Sequence, residues 1–183
     1  MKNLRFIIVV IILMIYNCMF AQKYGTKTGN IKFEASVPSF EEVAGESKTT
    51  SAALDAATGD FAALALMKGF RFKVALMEEH FNENYVESDK YPKATFKGKV
   101  EGLDVSKLTA DAKTYTVTGD LTLHGKTRKI SDAAKVSKSL NTITITGAFE
   151  VKPGDFAVEI PSVVSKKVAD KISVTYSFQL VKP

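Results

Sequence analysis

A two-residue hydrophobic rhythm recurs along most of this chain, and no other feature limits its fold as strongly. Tyr115, Val117, Gly119, Leu121 and Leu123 alternate with Thr116, Thr118, Asp120 and Thr122. Ile143, Ile145, Gly147, Phe149 and Val151 repeat the pattern, and Ile172, Val174, Tyr176, Phe178 and Leu180 make its longest run. Upstream, Ile31, Phe33 and Ala35 alternate with Lys32 and Glu34, and Phe70, Phe72 and Val74 read as a further strand. Residues 61–67 are apolar at nearly every position, as in a strand covered on both faces. Phe156, Val158 and Ile160 read as a short strand. Polar stretches at 41–48 and 55–59, a hairpin tip at His124–Gly125–Lys126–Thr127 and Pro153–Gly154–Asp155 turn the chain between these runs. About eight strands with tight connections, and neither a glycine-rich phosphate loop nor strand–helix repetition, argue against a parallel α/β sheet. They predict an antiparallel barrel or sandwich.

The rhythm changes once in a decisive way. Over 76–85, Leu76, Met77, His80, Phe81 and Tyr85 follow helical spacing, with Glu78, Glu79, Asn82 and Glu83 on the other face. After Tyr91–Pro92 the period returns to two, with Ala94, Phe96, Gly98 and Val100 against Lys93, Thr95, Lys97 and Lys99. One short amphipathic helix therefore sits where it can plug or lid a sheet structure. A second helical turn is expected near 162–170. Gly98, Gly119 and Gly147 fall on the apolar phase of their strands, which marks bends or close backbone approach.

The first 21 residues read as a signal peptide: Lys2 and Arg5, an apolar run at 6–15, then Ala21 before Gln22. The run is too short for a membrane span. Cys18 raises lipidation as an alternative, but Tyr16 and Asn17 replace the small residues such a site usually shows. Cleavage leaves residues 22–183 as one domain without cysteine, hence without disulfides, and directs it to a periplasm or the exterior. Loss of Lys2 and Arg5 lowers the formal charge from +5 to +3. Lysines are scattered among acids, so nucleic acid is not an expected partner.

His80 and Glu83, at i and i+3, together with His124 make a metal-dependent hydrolase conceivable, although two histidines are a thin ligand set. The structural alternative places His80 on the helix's inner side, its ring bonded to a loop carbonyl, and leaves His124 to satisfy turn backbone. Glu78, Glu79 and Glu83 read as a solvated acidic face. No nucleophile elbow appears, and catalysis is not indicated. Most phenylalanines sit on apolar strand phases, and on composition alone they suit a filled core: a small barrel acting as a stress or interaction module without ligand.

The segments LMEEHFNENYVESDKYPKATFKG, GDLTLHGKTRKI and DFAVEIPSVVSKKVADKISV resemble the YceI family of exported lipid-binding proteins. The most specific parts are the aromatic-Pro-x-Ala-x-Phe-x-Gly block at 91–98 and Leu-x-Leu-His-Gly at 121–125. The resemblance implies an all-β, lipocalin-like, eight-stranded antiparallel barrel with a long apolar channel. It also implies a guest such as an isoprenoid quinone or a polyprenol, held for transport, storage or sequestration, and no other cofactor. Phe33, Phe61, Phe70, Phe72, Met77, Phe81, Phe96, Leu121, Leu123 and Phe178 are then the expected lipid contacts, and Tyr85, Tyr91 and Lys93 the expected head-group contacts. The expected partners are the lipid and, transiently, a membrane; the chain is expected to act as a monomer or homodimer.

Overall fold

The computed structural model describes residues 23–38 and 40–182. The expected signal peptide and Cys18 lie outside them. Nine strands form one sheet: β1 (Lys23–Ser36), β2 (Ala44–Asp55), β3 (Asp60–Leu66), β4 (Arg71–Phe72), β5 (Lys93–Val100), β6 (Lys113–Leu123), β7 (Lys126–Ser139), β8 (Thr142–Val151) and β9 (Val168–Val181). Every pairing is antiparallel, and β1 pairs with both β9 and β2. Eight strands thus close into a barrel in chain order, while the two-residue β4 adds to β2 through Gly45↔Phe72. Closure removes the edges that a sandwich would leave exposed.

Chain order assigns each connection to one end. The β2–β3 turn, the β5–β6 connection at 101–112 and the β7–β8 turn lie at the end where β1 begins. The connection at 37–43 and the two longest, at 67–92 and 152–167, lie at the other end with the tight His124–Gly125 hairpin. Both residues of that hairpin have positive φ, 49° and 71°, which suits a two-residue turn between twisted strands.

Two joints in the wall are incomplete: the β2–β3 ladder covers only Ser51↔Leu64 to Leu54↔Phe61, and the joint between β7 and β8 is shorter than either strand. The β7–β8 ladder runs from Lys135↔Thr146 to Ser139↔Thr142 and stops, so no ladder joins 126–134 to 147–151. The 3-10 turn Pro153–Phe156 packs against β7 beside this gap.

The helix predicted over 76–85 forms as α1 (Ala75–His80), which continues as a π turn over Phe81–Tyr85. The second helical turn is only α2 (Ser162–Ser165), since β9 has begun by Val168. Three strand expectations need correction. The 61–67 run is covered on one face only: Phe61 and Ala65 are buried while Ala62 and Leu66 are exposed, so β3 behaves like its neighbours. The strand expected from Phe70 to Val74 shrinks to β4. The strand expected from Phe156 to Ile160 is absent, because Ala157 turns left-handed at φ 54° and β8 and β9 already pair with each other beside it. The polar stretch at 41–48 turns the chain only before Ala44, where β2 begins.

Candidate functional site

Inward-facing side chains fill one half of the barrel and leave the other half hollow. At the filled end Leu54, Val100, Val136, Ile143, Ile145 and Leu180 are fully buried, with Leu108 from the β5–β6 connection packed beneath them. At the other end the lining encloses a chamber of about 340 Å³, within the range typical of ligand sites. A narrower chamber of about 80 Å³ continues it toward the filled end. Ile31, Ala65, Ala94, Leu121, Phe149 and Val174 line both and form the neck between them. The result is an apolar channel, open at the helix end and blind at the other.

α1 and its π turn cover part of the mouth. Phe81 is their anchor: its ring lies 5.3 Å from Phe33, 5.8 Å from Phe70 and 5.1 Å from Phe72. Such contacts contribute beyond the area they bury. Glu78 ties the helix to β4, accepting from Arg71 Nη1 at 2.7 Å and from the Phe72 backbone N–H at 3.2 Å. It is therefore engaged in structure, unlike the solvated face expected for it. A pair between Lys73 and Glu42 fastens the helix approach to the 37–43 connection.

His124 clasps three connections together. Its Nδ1 lies 3.1 Å from the Phe156 carbonyl and its Nε2 2.7 Å from Glu87 Oε2, while Tyr91 packs edge-on at 4.4 Å. The hydrogen bond from His124 holds the Glu87 carboxyl below its ordinary range. His124 thus reaches a distant loop carbonyl, the bond expected of His80, while His80 is exposed at the channel mouth. Among the described residues no three His, Cys, Asp or Glu side chains gather as a metal site, and His80, Glu83 and His124 are not brought together.

All ten side chains expected to touch lipid line the channel. Phe33, Phe70, Phe72, Met77, Phe81 and Leu123 line the wide chamber, Phe61, Phe96 and Phe178 the narrow one, and Leu121 both. Of the three expected head-group contacts only Tyr85 lines it. Tyr91 packs on His124 and Gly125, and Lys93 is exposed at the start of β5.

Several lining residues escape a reading of the sequence. Phe149 faces both chambers, and Phe156, Val158 and Ile160 form a wall of the wide one from irregular backbone. At the narrow end Tyr176 donates to Asp132 Oδ2 at 2.6 Å. Burial first, and then this hydrogen bond, push the Tyr176 hydroxyl far above the usual phenol range. Gly147 makes room for the pair, since a Cβ there would stand 2.2 Å from Asp132 Oδ2 and 2.3 Å from the Tyr176 hydroxyl. The signal was available: a glycine on an apolar phase, directly opposite Tyr176 in the β8–β9 register.

Comparison with known proteins places these features in a lineage. The model of the YceI-like domain matches residues 23–180. Among solved structures, a polyisoprenoid binding domain from Saccharophagus degradans superposes with a TM-score of 0.78 at 16% identity, over 89% of this chain and 99% of that one. Burkholderia cenocepacia BcnA gives 0.68 at 20% identity, over 84% and 96%. The Campylobacter jejuni YCEI protein gives 0.61 at 18%, over 76% and 84%. No curated protein sequence matches the chain.

Proposed function

We propose, since the chain belongs to the YceI-like family, that this barrel binds a long-chain amphiphile and carries or sequesters it in an aqueous compartment after export. The observation that carries this reading is the blind apolar channel, about 340 Å³ at its wide end and continuous with a second chamber. Each methylene withdrawn from water into such a lining gains about 0.8 kcal/mol, so a partly covered chain outweighs the cost of association. The solved domain from Saccharophagus degradans is named for binding polyisoprenoid, and by likeness to it an isoprenoid quinone or polyprenol is the proposed guest. The ten apolar residues named above, joined by Phe149 and Phe156, supply the contact surface, and Met77 adapts to chains of differing shape. No chemistry is asked of the site. The filled interior expected of a barrel acting as an interaction module without ligand is met in one half of the barrel and not in the other.

Organic extraction of protein purified from its native host, followed by mass spectrometry, tests the reading. A stoichiometric long-chain lipid is expected, and delipidated protein should take it up again. Repeated extracts without lipid, together with no uptake by the delipidated protein, would defeat it.

A further inference from the structure

The channel is apolar along its length but unlike at its two ends, and this bears on which amphiphile it accepts and which way round. Three side chains with polar tips line the wide chamber: Lys167, His80 and Tyr85. No aspartate or glutamate is among its lining residues. Lys167 forms no ion pair with any described residue, so its charge is not already spent. The His80 ring makes no hydrogen bond with a described residue, although the other histidine is bonded at both ring nitrogens.

The helix geometry brings two of these donors to one side. In an α-helix residues five apart point about 140° away from each other, at 3.6 residues per turn. A π turn closes its bonds between residues five apart, as the Val86 N–H does on the Phe81 carbonyl at 2.9 Å. His80, just before this turn, and Tyr85, its last residue, can therefore both face the channel, as their presence in its lining requires. Lys167 approaches from the connection into β9, whose first pair, Ser36↔Val168, adjoins the 37–43 loop. All three groups can donate hydrogen bonds and one is cationic.

The blind end has the opposite character. Its acidic group, Asp132, already accepts a hydrogen bond from the Tyr176 hydroxyl, and the pair adds acceptor oxygens and negative charge but no free donor. An anion entering head-first would meet like charge there, with Thr95 the one other hydroxyl in the lining and no cation to receive it.

We infer that the channel takes its guest tail-first and holds an anionic head group, a phosphate monoester or a carboxylate, at the mouth between Lys167, His80 and Tyr85. This inference rests on the carrier reading above and adds to it the class and orientation of the guest. The apolar chain supplies affinity, and the mouth supplies selection among heads.

Calorimetric titration of delipidated protein with farnesyl monophosphate, farnesol and farnesylamine tests it, because the three probes share a tail and differ in head. The phosphate is expected to bind about tenfold tighter than the alcohol at low salt, and the amine weakest, as a charged hydrogen bond near the surface implies. Added salt should shrink that advantage. Lys167→Gln should remove most of it while leaving farnesol unchanged, and Lys167→Glu should place the amine above the phosphate. Lys167 is exposed, so neither variant disturbs the core. His80→Gln and Tyr85→Phe should each weaken the phosphate by a smaller factor. Inorganic phosphate alone should not bind at the same concentrations; if it does, the site is a bare anion site and the inference fails. Equal affinities for the three probes, or an order unmoved by Lys167→Glu, would overturn the head-group assignment while leaving the carrier reading intact. Failure of all three probes to bind would instead remove the carrier reading itself.

Discussion

In the filled half Leu54, Val136, Ile143, Ile145 and Leu180 are shut off from solvent. In the hollow half Phe33, Leu121, Leu123 and Val174, of the same chemical kind and on the same inward phase, remain partly exposed to the space they surround. The strands do not differ between the halves, since each long strand runs through both. The connections differ. Two tight turns and the 101–112 segment, which packs Leu103, Val105 and Leu108 against the core, seal one end. At the other end the two longest connections, 67–92 and 152–167, carry helices whose apolar faces reach the rim but do not descend far enough to fill the interior. Hollowness here is a property of what joins the strands.

Truncation should break this comparison most sharply if it is wrong. Ile145→Ala in the filled half should cost about 3 kcal/mol, because it opens a cavity in a close-packed region. Leu123→Ala in the hollow half should cost about 1 kcal/mol or less, because the space beside it already exists. Urea unfolding of the two variants decides; equal costs would mean that the halves are packed alike.

Enlargement reverses the roles. Ala134→Leu, at a fully buried position, should destabilise by about 1–3 kcal/mol through overpacking. Ala94→Leu, at the neck, should change stability by less than about 1 kcal/mol yet reduce lipid uptake by delipidated protein. Thermal melts read the first effect and lipid titration the second. An Ala94→Leu protein with undiminished uptake would mean that the neck does not limit the guest.

Acid should separate the two ends by the smallest margin. The Ser106 hydroxyl, first among its partners, lowers Asp104 at the filled end to about 2, and the His124 hydrogen bond lowers Glu87 at the mouth. A carboxyl depressed by folding contributes stability above its ordinary value near 4 and loses it as pH falls through the depressed one. The Asp104 cap should therefore persist until the pH approaches about 2. Hydrogen exchange at decreasing pH should show residues 86–91 opening before residues 103–108. The opposite order would place the weaker fastening at the filled end.

Much of this architecture was legible because period-two alternation depends on neighbouring residues alone. Residues 115–123, 143–151 and 172–180 announce both strand and inward face. The switch to helical spacing announced α1. What could not be read depends on contacts across the barrel. Alternation shows that Phe149 points inward, but not that nothing stands opposite it. Phe156, Val158 and Ile160 also alternate, yet no strand edge was free to receive them. The π turn arises at Phe81, held among three rings whose partners lie on β1, β4 and the segment before it. His124 took the bond expected of His80 because the clasp joins Glu87 to Phe156, residues far apart in sequence.

The interrupted joint between β7 and β8 changes what holds the wall together at the hollow end. Where the ladder stops, side chains take over: the His124 ring reaches the Phe156 carbonyl and the Tyr176 hydroxyl reaches Asp132. The β2–β3 ladder also ends early, at Ser51↔Leu64, so the wall is sewn least around the wide chamber and most fully around the solid floor.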